Sequence, residues 1–151
     1  TPRQYALTQE HKHLKEMKII TGLDFEPVFS PYICDYFAGM TVTVPLHTRL
    51  LSKKVTAKEG WETMAAHYEN SRFVKVAGFM GEGTLKENFI PANTLEGTNS
   101  MQIFVYGNDE RIMLCSRFDN LGKGASGAAV QCMNIMMGVD EGTGLKEYEQ
   151  K

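Results

Sequence analysis

Nowhere in this sequence do apolar residues run long enough to cross a bilayer, and no five charges of one sign stand together. The first absence argues against a membrane span, and the polar opening TPRQYALTQEHKH argues against a secretory leader. The second, with a net charge of only −2, argues against a dedicated binder of nucleic acid or anionic membrane, which would need a basic footprint. Cysteine is scarce. Cys34, Cys115 and Cys132 are odd in number, widely spaced and never form a CxxC pair, so structural disulfides and a cysteine zinc site are poorly supported, and a reducing cytoplasm suits the chain best. No Met precedes Thr1, so the stretch reads as a fragment or a processed piece.

What is present is ordinary for a folded domain. With 151 residues, 42% hydrophobic and 23% charged, the chain can bury a real core and is not globally disordered. Residues 8–20 read as a helix capped by Thr8, with Leu14, Met17 and Ile20 at helical spacing and Gly22 as its stop. Pro27 and Pro31 make residues 24–34 extended or looped, and Thr41–Val44 alternates like a strand. The clearest helix is Thr56–Asn70. Thr56 and Glu59 have capping-box spacing, and Trp61, Met64, Ala65 and Tyr68 form one apolar face.

A strand is expected within Arg72–Phe79, and a long loop over Gly81–Asn99. A hairpin then follows, made of Gln102–Tyr106 and Arg111–Phe118 turning at Gly107-Asn108-Asp109-Glu110. A last helix runs from about Ala125 to Met137, ending at Gly138 before a frayed tail. There is no internal repeat. Several antiparallel strands with helices on one face, an α+β layer, is the economical fold.

Gly122-Lys123-Gly124-Ala125-Ser126-Gly127 matches GxGxxG between a strand and a helix. A dinucleotide fold also needs a second parallel strand and an acid about 20 residues on. Only a helix and a polar tail follow Gly127, so that unit cannot be completed here. Two readings stay open: a Gly-rich entry that lets a helix pack closely, or helix-terminal amides facing an anion supplied by another domain.

The densest cluster of chemistry-bearing residues is His11-Lys12-His13-Leu14-Lys15-Glu16. On a helix, positions 13 and 16 share a face, while 11 and 13 diverge by about 200°. His13 and Glu16 can therefore meet as an imidazole oriented by a carboxylate, the arrangement of a general acid/base; solvated histidines on a charged helix end are the plain alternative. A metal site from HxHxxE is incomplete, because its first two ligands point apart unless the helix begins between them. His47 and His67 carry less information. Cys115 and Cys132 occupy natural core positions in a strand and an apolar helix, and Cys34, in a loop, has no neighbour to activate it.

The run Phe118-Asp119-Asn120-Leu121-Gly122-Lys123-Gly124-Ala125-Ser126-Gly127-Ala128-Ala129-Val130-Gln131-Cys132-Met133-Asn134 resembles the carboxyl-terminal signature D-N-L-x-K-G-A-x-G-x-A-V-Q-N-M-N of N-acetyl-γ-glutamyl-phosphate reductases. Tyr5, His11-Lys12-His13 and Glu16 resemble that family's Y-x5-H-x-H-x-P-E-I, and Gly97-Thr98-Asn99 gives a third, weaker match. Departures are Lys15 for the Pro, Met17 for the Ile, Cys132 for an Asn, and Ala38 where the family has an Arg. The last removes a candidate anion contact.

The resemblance implies a glyceraldehyde-3-phosphate dehydrogenase-like C-terminal domain: a mixed, mostly antiparallel sheet with helices on one face. Residues 1–118 would form the substrate-binding and oligomerisation part. Residues 119–151 would pack against an NADP-binding domain absent from this stretch, leaving Val130, Met133, Ile135, Met136 and Met137 bare. It implies part of a cytoplasmic, homo-oligomeric reductase of arginine biosynthesis that turns the acyl phosphate into a semialdehyde with NADPH, through a thiolate that this sequence lacks. His13 and Glu16 would be catalytic, Tyr5 and His11 near the substrate, and Asn120 and Lys123 near the cofactor, with no metal. A non-catalytic oligomerisation or binding module, or an aspartate-semialdehyde dehydrogenase-like domain, are the alternatives.

Overall fold

The computed structural model describes residues 1–85, 87 and 89–149; positions 86 and 88 of the expected loop and 150–151 of the expected tail lie outside the described residues. The chain forms two compact units, 1–37 and 38–151. The expected division at 118/119 is not a division between units, because residues 119–149 are stitched into the second one, as shown below.

In the first unit, β1 (Arg3–Gln4) pairs antiparallel with β2 (Tyr32–Ile33), and α1 (Lys12–Thr21) lies between them in sequence. The helix is shorter than its sequence suggests. Gln9 adopts φ 57°, which no helix accommodates, and its N–H closes a turn onto the Ala6 carbonyl at 3.0 Å. Thr8 is therefore not the cap; His11 is. Gly22, at φ 71°, ends the helix as expected. Of the three apolar residues expected to face inward, Leu14 is buried and Ile20 stands in solvent.

The second unit is built on a four-stranded sheet in the order β3 (Met40–His47), β6 (Arg111–Phe118), β5 (Met101–Gly107), β4 (Val74–Val76). The hairpin of β5 and β6 turns at Asn108-Asp109-Glu110, where Asn108 and Arg111 exchange backbone hydrogen bonds of 2.9 and 3.2 Å. β3 joins β6 antiparallel, and β4 joins β5 in parallel, so the sheet is mixed and mostly antiparallel. β3 continues through Pro45 because it is an edge strand, where a missing N–H costs no ladder bond.

Strand alternation gives the sheet two apolar faces. On one, Val105 and Ile112 pack against Ala57, Trp61 and Met64 of α2 (Ala57–His67). That helix starts on the capping box foreseen in the sequence: Glu59 N donates to Thr56 Oγ1 at 3.2 Å, and Thr56 N to Glu59 Oε2 at 2.7 Å. The Thr56 amide and hydroxyl, both donating to Glu59 Oε2, hold its carboxyl below the ordinary pKa. The Trp61 indole donates to the Ala77 carbonyl at 2.8 Å, satisfying the one polar group it buries.

On the other face, Phe104 and Cys115 lie under Leu85 and Ile90 of the long loop. Arg117, 3% exposed, fastens that loop: Nε donates to Gln102 Oε1 at 2.7 Å and Nη1 to Thr94 Oγ1 at 3.0 Å, with Phe104 beneath the guanidinium.

The tail after α3 (Gly127–Met136) is ordered and not frayed. Asn99 N donates to the Lys146 carbonyl at 2.8 Å, Tyr148 N to Ser100 Oγ at 2.9 Å, and Arg72 pairs with both Asp140 and Glu147. Asn134, 4% exposed, reaches the Glu141 and Thr143 carbonyls. Of the five residues that the resemblance left bare, α3 exposes Met133, Ile135, Met136 and Met137, while Val130 is half-buried. Cys132 shares that open surface and is not the core residue expected.

Candidate functional site

The first unit brings together all four residues that the sequence singled out there. His13 sits one turn before Glu16 on α1, and its Nε2 lies 3.7 Å from Glu16 Oε2, with both side chains about half exposed. At that distance the two groups are in reach of each other and of solvent, and they form an ion pair only when the imidazole is protonated. His11, outside the helix, has an extended backbone (φ −122°, ψ 141°), and its Nδ1 accepts from His13 N at 3.3 Å. This changes the geometry that an uninterrupted helix would give. The rings of His11 and His13 do not diverge; their centroids are 4.6 Å apart.

Tyr5 closes one side, with its ring 5.9 Å from His11, and Phe29 lies 5.2 Å from His11 and 6.1 Å from His13. Phe29 is placed by Gln9, whose carboxamide accepts from Phe29 N at 3.0 Å and donates to Phe29 O at 2.7 Å. Gln9 and Phe29 were invisible to motif reading. A polar residue that must leave the helical region to bond a chain segment 20 residues away has no local pattern. Cys34, half-buried in the same unit, neighbours Tyr36, whose phenol is pushed up by burial and by that thiol.

Asn120 and Lys123 belong to the second unit. The signature run opens with Asp119, 4% exposed, whose Oδ1 accepts from Leu121 N at 2.7 Å and Gly122 N at 2.9 Å, and whose Oδ2 accepts from Gly97 N at 2.7 Å. Burial alone would raise its pKa, but these three amides outweigh it and hold the carboxyl below the ordinary aspartate value. Two segments that the sequence flagged separately, Gly97-Thr98-Asn99 and the signature, are thus one structure. Asn120 Oδ1 accepts from Gly39 N at 2.8 Å.

A π-helical turn, Gly122–Ser126, follows. Lys123 folds inward: Nζ bonds Gln131 Oε1 at 2.7 Å and lies 5.5 Å above Phe73, and burial lowers its pKa. The buried Ala38 offers no charge to an anion.

The glycines of this turn are accounted for by the protein's own atoms. A Cβ on Gly122 would stand 2.8 Å from the Thr98 carbonyl, and one on Gly127 would collide with Asn99 Oδ1. The close-packing reading of GxGxxG therefore holds, and no strand follows α3 among the described residues. Gly127 has ordinary helical angles, so Gly127→Ala should raise stability by about 1 kcal/mol on propensity alone. The collision reverses that sign, and we expect a loss of about 1–3 kcal/mol by urea denaturation.

A family model described as semialdehyde dehydrogenase, dimerisation domain, matches residues 1–120. The chain belongs to that family. As a semialdehyde dehydrogenase dimerisation domain it is α+β, consistent with the mixed sheet described above. It is 43% identical over 93% of its length to N-acetyl-gamma-glutamyl-phosphate reductase 2 of Nostoc sp., covering 45% of that protein. With the N-acetyl-gamma-glutamyl-phosphate reductase of Burkholderia lata it shares 38% over 89%, covering 42%. With that of Sinorhizobium medicae it shares 39% over 88%, covering 43%. This dimerisation domain therefore spans less than half the length of the curated relatives it matches. Among the described residues, no helix is long and apolar enough to cross a membrane.

Proposed function

We propose that this chain is the substrate-binding and assembly portion of an N-acetyl-γ-glutamyl-phosphate reductase of arginine biosynthesis, working in the cytoplasm as a homo-oligomer. The reading rests above all on His13 and Glu16, 3.7 Å apart on one helix face and open to solvent. In that reaction a thiolate from a companion domain attacks the acyl carbon and releases phosphate, and the thioester is reduced to the semialdehyde. His13 is the acid/base: it takes the thiol proton and later protonates the oxygen of the aldehyde-forming intermediate, while Glu16 orients it. Tyr5 and His11 face the substrate.

The companion domain would hold NADP, which supplies the hydride. The described residues do not form a dinucleotide cradle, since the Gly-rich turn is filled by Thr98 and Asn99. Asn120 is the residue we assign to the nicotinamide side. Lys123 we assign to bracing the turn through Gln131. The dimerisation-domain family supports the assembly half of the proposal.

The test is reconstitution. Joined to, or mixed with, the amino-terminal half of a relative such as the Nostoc enzyme, the chain should restore NADPH-dependent reduction of N-acetyl-γ-glutamyl phosphate. Oligomers by light scattering with no turnover under any such pairing would leave only an assembly module.

A further inference from the structure

We infer that His11 is a positioning residue: its Nδ1 caps the helix that carries His13, which fixes the ring as the tautomer with its proton on Nε2, a donor offered to an oxygen of the bound substrate. The capping half stands on geometry alone; the substrate half rests on the reductase reading above.

A helix leaves its first amides without partners, and the residue before it commonly supplies an oxygen to one of them. Here the acceptor is an imidazole nitrogen, 3.3 Å from the His13 amide, on a residue with the extended backbone of a cap. A ring nitrogen that accepts this bond carries no proton. The neutral ring keeps one proton, so it resides on Nε2, and the imidazolium form has no acceptor left for the amide.

The ring is also held in place by Tyr5, Phe29 and His13, with Phe29 itself clamped by Gln9. Among residues 1–37 the titratable groups facing His11 are Tyr5 and His13, with Glu16 beyond His13. The two histidines then divide the work. His13, with a carboxylate beside it, carries a proton back and forth. His11, bound to the backbone at one nitrogen, can only donate from the other.

Long-range proton–nitrogen spectra of the whole chain, labelled at histidine nitrogens, should show His11 with a bare Nδ1 and a protonated Nε2. His11→Asn keeps an acceptor where Nδ1 stood, and His11→Gln places its amide where Nε2 stood. Hydrogen exchange at the His13 amide should be as slow in H11N as in the parent and several-fold faster in H11Q. A protonated Nδ1, or equal exchange in the two variants, overturns the cap, and the parent spectrum decides the matter even if a variant fails to fold. In the reconstituted enzyme, H11Q should keep KM nearer the parent value than H11N does; the reverse order overturns the donor assignment. Were no turnover restored, the substrate half would fall with the reductase reading, while the spectra would still judge the cap.

Discussion

Replacing His13 by Ala in the reconstituted enzyme should cut turnover at saturating substrate about 100-fold or more, the usual worth of a positioned acid/base. The loss should fall on kcat, because His13 is assigned to proton transfer and not to holding the substrate. The limb that the pH–rate profile owes to an imidazole should vanish with it. Glu16→Gln should cost less, since the amide still occupies the position 3.7 Å from Nε2 but cannot stabilise the imidazolium. A drop of only a few-fold for His13→Ala would remove its assigned role, and equal losses for both variants would point to helix damage.

The largest stability effect is expected at Asp119. Asp119→Ala would strip three backbone amides, of Gly97, Leu121 and Gly122, of a charged acceptor. Losing three charge-assisted bonds, with the freed amides partly open to water, should cost about 2–4 kcal/mol, read as a lower urea midpoint at unchanged slope. Asp119→Asn should be milder, because one oxygen can still serve Leu121 and Gly122 while its NH₂ meets the Gly97 N–H. The folded pKa of this carboxyl is depressed, so its contribution is complete above the unfolded aspartate value and fades as pH falls through the folded one. That places the loss below about pH 4. Asp119→Asn should flatten this acid slope; an unchanged slope would mean that other carboxyls carry it.

Local signals were readable in the sequence and long-range ones were not. The Thr56–Glu59 box and the Asn108–Arg111 turn are settled by neighbours within four residues, and both occur where expected. The alternation of Thr41–Val44 marked β3 but not its extent, which runs through Pro45 to His47 because an edge strand tolerates proline. The parallel direction of β4 against β5 has no local sign, because it depends on the route of the intervening loop.

The His13–Glu16 pair follows from helical spacing alone. The start of that helix does not: Thr8 looks like a better cap than His11, but Gln9 leaves the helical region and bonds Phe29 across 20 residues. Cys132 was misjudged for a related reason. An apolar helix reads as core, yet α3 turns much of its apolar surface outward, with Met136 86% exposed.

The fastened tail also has a consequence for biogenesis. Arg72, Asn99 and Ser100 emerge during synthesis well before Asp140, Lys146, Glu147 and Tyr148, their eventual partners. The nascent sheet must therefore wait with one flank unsealed, and shortening the polypeptide by a dozen residues would make that provisional state permanent.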